Sequence, residues 1–132
     1  MAELSKLNVA IAALSRSVKL YIEGDLVSST ILAGAAQAIL KNLCQKNGID
    51  ASVESIAEFQ DKPQKCIHEL VTETYNAMKH ANRDADALVP VSSDEPIVLI
   101  RLATIDLMRL RDFSNQLCAH IIDFVEAQKG SP

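Results

Sequence analysis

The stretch that decides the fold is Leu26-Val-Ser-Ser-Thr-Ile31-Leu32-Ala-Gly34-Ala-Ala36-Gln-Ala-Ile39-Leu40-Lys-Asn-Leu43-Cys44. It is too long for a strand and carries apolar residues all round, the pattern of a helix enclosed by others. Ala33, Gly34, Ala35, Ala36 and Ala38 are too small to hold a neighbour away. Gly34 costs about 1 kcal/mol of helix propensity relative to Ala, which is reasonable only where another backbone comes close. Asp25 precedes the stretch as a helix N-cap, and Asn47-Gly48 ends it. This is the expected central helix.

Working outward, Leu4, Leu7, Ile11, Leu14, Val18 and Ile22 recur at three- and four-residue spacing, with Val9 and Tyr21 off the stripe. The spacing predicts a helix over 3–23 with one buried face, stopped by Gly24. After the central helix, residues 49–62 form a connection in which Ser52 caps a short helix towards Phe59. Asp61 and Pro63 then open a helix whose apolar stripe is Ile67, Leu70, Val71, Thr74 and Met78. Glu69, Glu73, Asn76 and His80 fall on its opposite side. Residues 81–91 are a polar loop. Ser92-Ser-Asp-Glu95 is a capping box ahead of Pro96 and a helix carrying Leu99, Leu102, Ala103, Ile105, Met108 and Leu110. A turn or kink at Asp112-Phe-Ser114 leads into a last amphipathic stripe, Leu117 to Val125. The expectation is a single domain over 1–132, all-α, an up-and-down bundle of four to five helices.

The composition agrees with that class. The 132 residues are 48% hydrophobic but only 4% aromatic, without Trp, so the apolar mass is aliphatic. A net charge of −4 withholds the positive field with which most nucleic-acid binders meet phosphates. Cys44, Cys66 and Cys118 are odd in number and lack metal-ligand spacing, which points to buried thiols in a reducing cytoplasm. The start of the chain has no secretory h-region, and no segment reads as a membrane span.

The one place where chemistry-bearing residues crowd together is 69–86. His80 closes its helix, where the macrodipole favours a cation, with Lys79 beside it and Asn76 one turn back. Glu73 and Glu69 extend the same stripe and would suit a small ligand or a metal at Glu73, Asn76 and His80, although the spacing matches no compact ligand motif. His68 and His120 are expected to be structural. Arg101 interrupts the apolar run 97–105 and calls for a carboxylate, with Glu73 and Asp84 as candidates; Glu69, Glu73, Asp84 and Arg101 are thus expected to form a polar network. Arg109, Arg111 and Arg83 extend a basic edge, but Asp94, Glu95, Asp106 and Asp112 interleave with it and favour pairs within the helix. No phosphate loop, nucleophile elbow or metal motif is present in the sequence, and no cofactor is implied.

The order of Leu20-Tyr-Ile-Glu-Gly-Asp25, Thr30-Ile-Leu-Ala-Gly-Ala-Ala-Gln37-Ala-Ile-Leu40, Asn76-Ala-Met-Lys-His-Ala-Asn-Arg-Asp84 and Glu95 with Arg101 resembles a group of small uncharacterised bacterial all-α proteins over residues 15–110. More distantly, Tyr75-Asn76-x-x-x-His80 is similar to the Arg-(polar)-x-x-x-His motif of the HEPN superfamily, helical bundles of toxin–antitoxin and RNA-processing systems that are usually dimeric. In catalytic members the Arg and His act at the dimer cleft as a metal-independent ribonuclease. The resemblance places His80 at the catalytic His and Asn76 at the polar position. Tyr75 stands where the motif has Arg, and a phenol does not supply the permanent charge that a phosphate transition state requires. The implied function is therefore a non-catalytic homodimeric interaction module, with a protein partner. The alternative is a ribonuclease in which His80 is the acid or base and Lys79 or Arg83 the phosphate cation, acting on RNA.

Overall fold

The computed structural model describes residues 3–54, 86, 88–89, 91–110 and 119–129. Among them are four α-helices and no strand: α1 (Lys6–Glu23), α2 (Leu26–Lys46), α3 (Asp94–Leu110) and α4 (Ala119–Lys129). The chain is an all-α helical bundle.

Each boundary has a local cause. Ser5 caps α1, its hydroxyl accepting the Asn8 N–H at 3.1 Å, so the helix begins three residues later than the periodicity predicts. Gly24 adopts a left-handed φ of 90°, and the Gly24 and Asp25 N–H groups bond back to Tyr21 and Leu20. That arrangement ends a helix with its carbonyls satisfied. Asp25 Oδ1 then accepts the Ser28 N–H at 3.0 Å, so one glycine and one aspartate stop α1 and start α2. Gly48 repeats the device at the end of α2 with a φ of 71° and the Ile49 N–H on the Cys44 carbonyl. Ser92 Oγ accepts the Asp94 N–H at 2.9 Å at the head of α3, where Pro96 sits in the first turn.

Helix α2 packs against both α1 and α3, which touch each other far less, so it is the central helix. Its buried arc is Ser29, Thr30, Ala33, Gly34, Ala36, Gln37, Leu40 and Cys44. The small residues bring backbones together: Ser29 Oγ donates to the Ser17 carbonyl of α1 at 2.8 Å. A polar side chain is thereby buried with its hydrogen bond made. The shared core is Leu14, Val18, Leu40, Leu99, Ile100, Leu107 and Ile121 with their neighbours. By length and composition α2 could also cross a membrane; here α1 and α3 take up its buried face.

Two expectations about faces are corrected. Ile22 and Leu4 are 70% and 67% exposed, whereas Tyr21 reaches the core and meets Phe124 edge-on, ring centroids 5.4 Å apart. The buried arc of α1 centres on Leu14; at 100° per residue Tyr21 lies about 20° from that centre and Ile22 about 80°. On α3, Ile105 and Met108 face outward and Ile100, Thr104, Asp106 and Leu107 are buried. The expected helix over 61–80 and the turn at 112–114 lie outside the described residues.

Candidate functional site

Of the residues that the sequence singles out for chemistry, His80, Asn76, Lys79, Arg83, Glu69, Glu73 and Asp84 lie outside the described residues. The described structure therefore carries the site only through Arg101, and through polar groups that sequence reasoning placed elsewhere.

Arg101 sits on α3 one turn after Val98 and one turn before Ile105. It is half-buried, its Nε is covered, and that atom has no hydrogen-bond partner. Asp94, Val98, Arg101, Ile105 and Met108 follow one another at steps of four, three, four and three residues, one stripe down the outside of α3. Ile105 is 40% and Met108 56% exposed, and Asp94 is fully on the surface. Arg101 is thus a cation set into an apolar outer face.

Asp106, expected to pair with an arginine within its helix, is wholly buried. Its Oδ1 accepts the Ser52 backbone N–H at 2.6 Å, and Ser52 Oγ donates to the Leu102 carbonyl at 3.2 Å. Ser52 is thereby committed to α3, and the helical turn 52–54 begins pinned across it. Cys44 adds a thiol donated to the Asp106 carbonyl at 3.4 Å, tying α2 to the same point. Asp106 Oδ2 is buried without a hydrogen bond. Burial pushes the Asp106 carboxyl up from its ordinary value, partly offset by the Ser52 bonds and by Arg109. Arg109 itself donates from Nη1 to the Asp50 carbonyl at 2.9 Å, steadying the strand of backbone that leads into Ser52.

Burial also pushes the Cys44 thiol up to about 11, so it stays protonated at neutral pH and is a poor nucleophile. Cys66 and Cys118 lie outside the described residues. No group of three His, Cys, Asp or Glu side chains close enough to hold a metal occurs among the described residues. A cavity of about 410 Å³ opens where the ends of three helices meet, lined by Leu7, Leu43, Asn47, Ile49 and Leu110. Among the described residues of that lining Asn47 is the one polar side chain, and its Nδ2 is already donated to the Leu43 carbonyl at 2.7 Å. These polar groups hold segments together; none is poised for proton transfer or nucleophilic attack.

The signal that could have located Asp106 is its place on α3, in register with Leu99 and Leu102 rather than with Arg101 and Ile105. No protein-family model, curated protein or solved structure matches the chain.

Proposed function

We propose that this chain is a non-catalytic interaction module that works as a homodimer. The observation that carries the reading is the outer stripe of α3, where Ile105 and Met108 stand exposed beside the half-buried Arg101. Single exposed apolar residues need no explanation, but a stripe of them at regular spacing, with an arginine in the middle, has the make-up of an interface centre. The functional work then lies in association, with the buried Asp106–Ser52–Cys44 cluster keeping α2, α3 and the 50–54 segment rigid enough to present that face.

Light scattering on the purified chain tests this directly. The expected mass at tens of micromolar is twice the 14.4 kDa of one chain. A monomer at that concentration contradicts the proposal.

A further inference from the structure

We infer that the partner on the outer face of α3 is the α3 of a second copy, running antiparallel about a two-fold axis close to Val98, with Arg101 of each copy on the partner's Asp94. This rests on the homodimer reading above and goes further by naming the surface and its register.

Charge complementarity supplies the first reason. Asp94 and Arg101 are the two charged members of the stripe, seven residues or about 10 Å apart along the helix. A two-fold axis between them exchanges their positions, so a single surface provides both halves of two identical ion pairs. A parallel arrangement would instead set like charge against like. Asp94 is exposed and Arg101 half-buried, so both lie where a helix on that face would meet them.

The second reason is what the same register does to the exposed apolar residues. With Val98 on the axis, Val98 meets its own copy. Ile105 and Met108 run past the first turn of the partner helix, towards the segment that leads into it. That segment holds Leu88 and Val91, 96% and 48% exposed. Counted along the chain about Val98, Ile105 and Met108 fall opposite positions 91 and 88 of the second copy, both apolar and exposed. An isologous contact also closes on itself, which limits association to two copies.

Charge reversal tests the register. Asp94→Arg and Arg101→Asp should each raise the dimer dissociation constant at least tenfold, because each sets like charges together twice. Mixed one to one, the two variants should recover a dimer of one copy of each, since every reversed charge then meets its opposite. The double variant in one chain should dimerise with itself. Far-UV circular dichroism checks folding; Asp94 is on the surface, so Asp94→Arg alone decides the matter if Arg101→Asp fails to fold. Variants that dimerise as tightly as wild type, or a mixture that does not re-associate, overturn the register. A wild-type monomer would instead remove the homodimer reading beneath it, and the two failures are told apart by the wild-type mass.

Discussion

Asp106 is the residue at which the bundle should feel pH. Its carboxyl is raised in the folded chain by burial, whereas an unfolded aspartate titrates near 3.9. The folded state therefore keeps its proton at pH values where the unfolded state has lost it. The stability this contributes is greatest below about 3.9 and falls as pH rises through the higher folded value. Asp106→Asn retains an acceptor for the Ser52 N–H and cannot ionise, so its stability relative to wild type should climb between pH 4 and pH 7. Parallel urea-unfolding curves at the two pH values would rule that out. Asp106→Ala removes the acceptor and should cost about 1–3 kcal/mol, the usual penalty for a buried donor left unpaired. His80 bears on the ribonuclease alternative. Wild type incubated with a structured RNA in chelator should leave it intact, and cleavage that disappears in His80→Ala would establish the ribonuclease alternative instead.

Among the elements, helix boundaries and the order of packing were open to sequence reasoning. Gly24, Asp25 and Gly48 act through their own backbone or side chain, so their roles can be inferred without knowing the neighbours. The run of small residues 33–36 likewise marks α2 as the enclosed helix whatever surrounds it. Faces are harder, because which side of a helix is buried depends on where its partners lie. Periodicity alone ranked Ile22 over Tyr21 and Ile105 over Asp106, and both choices fail by a fraction of a turn. Asp106 in addition requires knowing that residues 50–53, more than fifty positions away, return across α3. Two substitutions test the element-level account. Gly24→Ala meets no atom within 4 Å of the new Cβ, so the left-handed backbone is its whole cost, about 1–2 kcal/mol in thermal or denaturant unfolding. Ala33→Leu, fully buried on α2, should cost about 1–3 kcal/mol by forcing neighbouring helices apart; wild-type stability there would mean that α2 is not closely packed.

In the whole molecule α2 is enclosed while α3 keeps one face outside. Helix α2 supplies its buried face to both neighbours, and α3 buries the arc from Leu99 to Leu107 in return. What α3 keeps outside is a stripe that mixes a charge with apolar side chains: Val98 and Arg101 half-buried, Ile105 and Met108 exposed. Arg101 was legible as a cation in need of a carboxylate. The carboxylates expected for it, Glu73 and Asp84, lie outside the described residues; the proposed dimer supplies Asp94 of the second copy. The measurement that bears most directly on the homodimer is sedimentation equilibrium of wild type beside Ile105→Glu at tens of micromolar. Wild type is predicted at twice 14.4 kDa and the variant, folded, at 14.4 kDa; a 14.4 kDa wild type, or a variant that stays dimeric, would contradict the account.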